Sequence, residues 1–205
     1  DDRWRNRDRG HRPDHDDHDD HYRRRLRNRC RYRRIRTLMQ ALLATFPRTG
    51  RVDWIGRSPE RRAAIDIVDE VEVLVGFGIT GDRHASRGGG KRQVTLIQAE
   101  HLPVIASLAG LLDVPPELVR RNIVVGGISL HAMRNSRFRV GEVLLEGTGS
   151  CAPCSRMEEY LGPGGYNAMR GMGGVTARVI EAGVIRIGDD VTFVGDPPPP
   201  AADST

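Results

Sequence analysis

The residues whose types and spacing could most readily do chemistry are Cys151 and Cys154, separated only by Ala152 and Pro153 and followed by the run Ser155-Arg156-Met157-Glu158-Glu159-Tyr160-Leu161. That run reads as a short helix. A thiol just ahead of a helix, with the Arg156 guanidinium alongside, sits where both the helix N-terminus and a cation stabilise negative charge on sulfur. Three uses fit such a pair: a redox dithiol, half of a zinc site, or two small thiols buried at a turn. A thioredoxin-like domain needs its C-x-P-C early, with a long helix and a further half-sheet behind it, and too little chain follows here. A zinc ribbon needs a second ligand pair, and none lies nearby. Chemistry at a reactive sulfur remains, beside the plain alternative of two packed thiols.

Other candidates lie where glycine adjoins cationic residues. Arg83, His84, Arg92, Arg121 and Asn122 fall at strand ends or in loops, where a phosphate or carboxylate would suit them and where solvated arginines are also common. Gly162-Pro163-Gly164-Gly165 and Gly171-Met172-Gly173-Gly174 flank Tyr166-Asn167-Ala168-Met169-Arg170. Such glycines can turn backbone N–H groups toward an anion, or simply form tight turns. Gly76-Phe77-Gly78-Ile79-Thr80-Gly81 has the G-x-G-x-x-G form of a dinucleotide site. The helix that form requires is missing, because Asp82-Arg83-His84-Ala85-Ser86-Arg87-Gly88-Gly89-Gly90 follows, and the dinucleotide reading is rejected. In the N-terminal segment His11, His15, His18 and His21 are interleaved with Asp, a spacing that could gather a divalent metal on a transient helix and that equally suits a solvated polyampholyte.

These side chains need elements to hold them. Alternation predicts strands at Arg51–Ile55, Asp69–Val75, Gln93–Ile97, Asn122–Val125, Arg137–Val140, Glu142–Glu146, Thr176–Ile180 and Val184–Ile187, the last two joined as a hairpin through Glu181-Ala182-Gly183. Helical spacing appears at Thr37–Phe46, at Gln98–Leu112 with Pro103 in the first turn, and at Pro115–Arg121. Many short strands with few short helices predict an α+β, mainly β, barrel-like domain over residues 50–196. A short helix and linker precede it at 37–49.

The formal charge of +5 is a property of the N-terminal segment, since residues 1–36 hold 14 Arg against 8 Asp and the remainder is close to neutral. That segment has too few aliphatic side chains to offset ordering entropy, and it is expected to be disordered. It lacks the aromatic interleaving of a stacking platform, so no specific nucleic-acid binding is expected. The proline-rich residues 197–205 should form a second disordered tail. Three cysteines do not make a secreted disulfide framework, no apolar run is long enough to span a bilayer, and a reducing, cytoplasmic setting is the expectation.

Taken in order, Gly81-Asp82-Arg83-His84, Arg92–Glu100, Arg120-Arg121-Asn122-Ile123, Glu146–Glu158 and Ala168–Gly174, closing at Ile187-Gly188-Asp189, resemble the successive blocks of the MOSC family, in its small stand-alone bacterial form. The resemblance spans roughly residues 50–195. It implies a β-barrel-like domain, named for the C-terminal domain of molybdenum-cofactor sulfurases, with Cys154 as the hallmark cysteine and Cys151 less regular. It implies two jobs for that sulfur: ligating molybdenum in a bound pyranopterin cofactor, in an oxidoreductase acting on N-hydroxylated or related small molecules, or carrying a persulfide as a non-catalytic sulfur carrier. Thiolate suits both. Arg83, His84, Arg92, Arg121, Asn122, Cys151, Arg156, Arg170, Gly173 and Gly174 are then the candidate cofactor-binding residues. The pyridoxal-phosphate desulfurase domain of fused relatives has no counterpart here, and Lys91 lies in a Gly/Arg loop unsuited to a Schiff base. A sulfur donor or a redox partner would be a separate protein. Deleting residues 1–36 is expected to leave the melting temperature and cofactor binding unchanged, and a large drop in melting temperature would show the segment to be structural.

Overall fold

The computed structural model describes residues 37–85, 88 and 90–197. The expected disordered segment 1–36, its histidine cluster and the chain from residue 198 onward lie outside the described residues. The chain divides into two compact units, Asp1–Thr45 and Phe46–Thr205. The described part of the first contains helix α1 (residues 37–43), on which Leu38, Met39, Leu42 and Leu43 are all exposed.

In the second unit, seven strands close into a barrel. Around the ring they run β1 (Gly50–Arg57), β6 (Ile123–Gly126), β5 (Val94–Gln98), β9 (Val175–Glu181), β8 (Val143–Ser150), β7 (Arg137–Val140) and β11 (Asp190–Gly195). Pairing of Gly50 with Val191 and Arg51 with Asp190 brings β11 back to β1. β2 (Asp66–Ile67) adds to the far end of β1, and a separate three-stranded sheet is made by β10 (Gly183–Arg186), β3 (Glu70–Leu74) and β4 (Gly78–Ile79). The α+β, mainly β architecture is the expected one.

Within the ring β5 and β6 are the parallel pair, and parallel neighbours need a long crossover. Helices α2 (His101–Ala109) and α3 (Pro116–Val119) lie in that connection. Pro103 falls in the first turn of α2, and Gly110 at φ 70° ends the helix by donating its N–H to Ala106 and Ser107 carbonyls. Burial on both faces explains why β5 and β6 lack the apolar–polar alternation of a half-exposed strand. Leu96, Ile123 and Val125 point into the barrel core with Val52, Phe138, Leu145 and Val179. Ile97 and Val124 point outward into a second core with Ile105 and Val119, completed by Met157 and Leu161 of α4 (Arg156–Leu161) and by Met169, which follows α5 (Gly165–Ala168). The segment carrying Cys154 is thereby anchored to the outer wall of the barrel.

One expected pairing differs. β9 and β10 are not a hairpin: β9 is laddered between β8 and β5, whereas Gly183–Arg186 pairs with Glu70–Val73. With only Ala182 between the two strands, the chain leaves one sheet for the other instead of folding back. β11 carries no clear alternation of its own, yet it closes the ring. The dinucleotide-like glycines end in the two-residue β4 and a turn, consistent with their rejection as a nucleotide site.

Gly173 and Gly174 serve close backbone approach. A Cβ on Gly173 would meet the Cys151 carbonyl oxygen, and one on Gly174, which has φ +87°, would meet the Leu96 carbonyl oxygen, both well inside contact distance. Gly174→Ala is accordingly expected to cost about 2–4 kcal/mol through overpacking and left-handed strain together. Urea denaturation of the variant tests this, and a midpoint equal to that of the parent would contradict it.

Candidate functional site

Four loops and two strand ends meet at a cleft of about 250 Å³. Its walls include Ser58 after β1, Asp82, Arg83 and His84 after β4, Arg92 and Thr95 at the start of β5, Arg120, Arg121 and Asn122 ahead of β6, and Cys154 with Arg156 at the start of α4. Residues from 56 to 156 in the chain thus converge on one opening.

The floor is a polar cage around Asp82. This carboxylate, 6 % exposed, accepts from the backbone N–H of Ser58 at 2.9 Å, the backbone N–H of His84 at 2.9 Å and the Asn122 Nδ2 at 3.0 Å, and it lies 2.9 Å from His84 Nδ1. Bonding to the N–H two residues on is an Asx turn, the local geometry that aspartate favours. Burial pulls the Asp82 value upward, but bonds from the His84 ring, the His84 N–H and the Ser58 N–H, with the His84 charge, outweigh it and bring the carboxyl to about 2. Asn122 is equally committed: its Oδ1 accepts from the Thr95 N–H and hydroxyl, and its Nδ2 also donates to the Gly56 carbonyl.

Arg120 and Arg121 diverge because Arg120, at φ 54°, ends α3 in the left-handed region. Arg120 donates to the Ser58 hydroxyl at 2.8 Å and the Ala63 carbonyl at 3.2 Å. Arg121, 3 % exposed, donates to the carbonyls of Gly173 at 2.7 Å, Val119 at 2.9 Å, Ala152 at 3.2 Å and Cys151 at 3.3 Å. Burial lowers its value from the ordinary one. Cys151 and Cys154 pull the other way and Arg92 adds to the lowering, and a guanidinium stays charged through such a shift.

The two cysteines separate cleanly. Cys151 is buried, its N–H bonded to the Gly174 carbonyl, whereas Cys154 is exposed and borders the cleft. Arg92 and Arg156 also border it, and neither makes a hydrogen bond or ion pair with any described residue. Of the arginines singled out from the sequence that line the cleft, these two make no side-chain bond to a described residue, while Arg121 spends its donors on the protein. Arg170 is exposed and away from the lining, and Gly173 and Gly174 lie beneath the cysteine loop. Sequence reading assigned no role to Asp82, Ser58 or Arg120. The aspartate two residues ahead of a histidine at a glycine turn was the signal available for the first, and nothing local marks the other two. Among the described residues no three His, Cys, Asp or Glu side chains are grouped to hold a metal ion, and no helix is long and apolar enough to cross a membrane.

The MOSC domain family model matches residues 83–192, more than half the chain and the whole stretch from the cleft's Arg83 into the strand that closes the barrel. The chain belongs to the MOSC domain family. The MOSC fold is shared with the YuaD protein from Bacillus subtilis, at TM-score 0.63 and 20 % identity over 75 % of this chain and 100 % of that one. It is similar also to YiiM from Geobacillus stearothermophilus, at TM-score 0.58 and 17 % identity over 71 % and 75 % of the two chains. YiiM from Escherichia coli aligns at TM-score 0.56 and 22 % identity, over 72 % and 70 %. No curated protein matches the chain.

The Asp82 cage is expected to contribute to the stability of this MOSC domain. A folded value of about 2 lies below the roughly 3.9 of an unfolded aspartate, so the stabilisation, on the order of 2 kcal/mol, is complete above about pH 4 and is lost as the pH falls toward 2. Asp82→Asn should be less stable at pH 7 and should decline less steeply between pH 4 and 2 in chemical denaturation. Parallel stability–pH curves for the two proteins would refute the assignment.

Proposed function

We propose that this chain binds the molybdenum cofactor, with Cys154 as the protein's ligand to the metal, and works in the reduction of N-hydroxylated or related small molecules. The observation that carries the reading is the placement of one exposed thiol and two uncommitted guanidinia, Arg92 and Arg156, on a single cleft.

The donor set suits the group. A soft thiolate favours a soft or high-valent metal. With no three-ligand cluster among the described residues, a metal held by Cys154 must bring its other ligands with it, as a pterin dithiolene does. Guanidinium forks match phosphate oxygens in pairs, so Arg92 and Arg156 would take the cofactor's phosphate. The cleft, about 250 Å³, is slightly smaller than the ~300–1,000 Å³ usual for complete ligand pockets, and it would enclose part of such a molecule while the remainder lies across the opening. When bound, the cofactor supplies a two-electron redox centre. The chain's own residues bind and orient: Arg121 holds the cysteine loop, the Asp82 cage holds His84, and the arginines raise the local potential for an anionic ligand. Electrons would come from a separate redox protein.

Exposure of Cys154 favours a second reading, a sulfur carrier that receives persulfide sulfur from a donor protein. The readings separate on one comparison. Protein produced in a cofactor-competent host should carry molybdenum near stoichiometry. Cys154→Ala should lose most of it, and the double variant Arg92→Ala/Arg156→Ala should be loaded at least 10-fold less tightly. Equal molybdenum in parent and Cys154→Ala would overturn the ligand role. A persulfide on Cys154 after incubation with a desulfurase and cysteine, detected by mass spectrometry in protein that takes up no metal, would establish the carrier instead.

A further inference from the structure

The cleft contains a histidine whose two ring nitrogens have been given different tasks. His84 Nδ1 lies 2.9 Å from Asp82 Oδ1, and the same carboxylate is pinned by the backbone of Ser58, the backbone of His84 and the side chain of Asn122. A carboxylate only accepts hydrogen bonds. Its partner nitrogen must therefore carry the proton, and the neutral ring is held as the Nδ1–H tautomer. Nε2 then has an open lone pair. It makes no hydrogen bond to any described residue, and the ring borders the cleft with its side chain 42 % exposed. Every other ionisable side chain lining that cleft is either an arginine, which can only donate, or the cysteine, or Asp82 itself.

We propose that His84 Nε2 is the hydrogen-bond acceptor by which the cleft selects its small-molecule ligand, and that Asp82 is the positioning residue that fixes the neutral ring in its Nδ1–H tautomer and in one orientation. The chemical class selected is a molecule offering an O–H or N–H at its reacting end, and the inference rests on the reading that such molecules are the substrates. A ligand whose hydroxyl is capped by methyl presents no donor to Nε2 and leaves it unpaired, and sites built around a polar partner discriminate strongly against analogues that lack it. Discrimination thus resides in His84, and affinity for anionic groups resides in Arg92 and Arg156.

Two measurements on the full chain test this. In the first, cofactor-free protein labelled with ¹⁵N-histidine is examined by NMR at pH 8, with the signal of His84 assigned by its loss in His84→Gln. The expected result is a protonated Nδ1 and an unprotonated Nε2 in the parent, and a mixture of tautomers in Asp82→Asn. A predominant Nε2–H form in the parent, or an unchanged Nδ1–H form in Asp82→Asn, overturns the positioning role. In the second, binding of benzamidoxime and of its O-methyl ether to molybdenum-loaded protein is compared. The parent should favour the free hydroxyl by about 10-fold or more, and His84→Gln and His84→Ala should bring the ratio close to one. A ratio that survives in both variants overturns the selection role. Because the tautomer is read without cofactor, a parent protein that takes up no molybdenum refutes the functional reading while leaving the Asp82–His84 assignment to be decided by NMR. Equal molybdenum content in His84→Gln and the parent shows that the substitution has not acted through loss of the cofactor.

Discussion

The cleft depends on a buried guanidinium. Arg121 reaches the carbonyls of Cys151 and Ala152 in one loop, Gly173 in another and Val119 in its own. A charge removed from water is tolerated only where hydrogen bonds replace its hydration, and four carbonyls do so here. The same bonds fix the height of the loop that ends in Cys154. Gly173 and Gly174 are the steric counterpart, since a side chain on Gly173 would press on the Cys151 carbonyl and one on Gly174 on the Leu96 carbonyl of β5.

Opposite the cysteine loop, the Asp82 cage plays the matching part. Asn122 links it to Thr95 of β5 and to Gly56 of β1, so the loop after β4 is fastened to the barrel wall by side chains as well as by its own backbone. The two fastenings enter the barrel side by side, at Arg121 and Asn122, just ahead of the parallel strand β6. The crossover that parallel pairing requires is what delivers three consecutive polar residues, Arg120, Arg121 and Asn122, to the rim. Between these two fastenings Cys154, His84, Arg92 and Arg156 border the cleft.

Much of the barrel was legible in the chain. β1, β3, β5, β7 and β9 announce themselves by alternation or by β-branched runs, and the second core is visible in the helical spacing of Ile105, Ala106, Met157 and Leu161. The exchange of β10 into a second sheet was not legible, because a strand's own pattern states which face is apolar and leaves open which neighbour completes its hydrogen bonds. β11 was missed for a related reason: it is only partly buried along its length, and its place is set by ladders to β1 and β7.

By itself the sequence determined the fold class, the MOSC blocks and the candidacy of Cys154, since periodicity, glycine turns and the order of motifs are properties of the linear chain. It also brought Arg83, His84, Arg92, Arg121, Asn122 and Arg156 forward together, and the structure places all six on one cleft. Only the tertiary structure decided which of two neighbouring cysteines borders the opening and which of the cleft arginines is spent on the protein. An arginine reads the same at every position of a sequence. Whether its five donors are available depends on carbonyls that folding brings from far away, such as that of Gly173, 52 residues beyond Arg121.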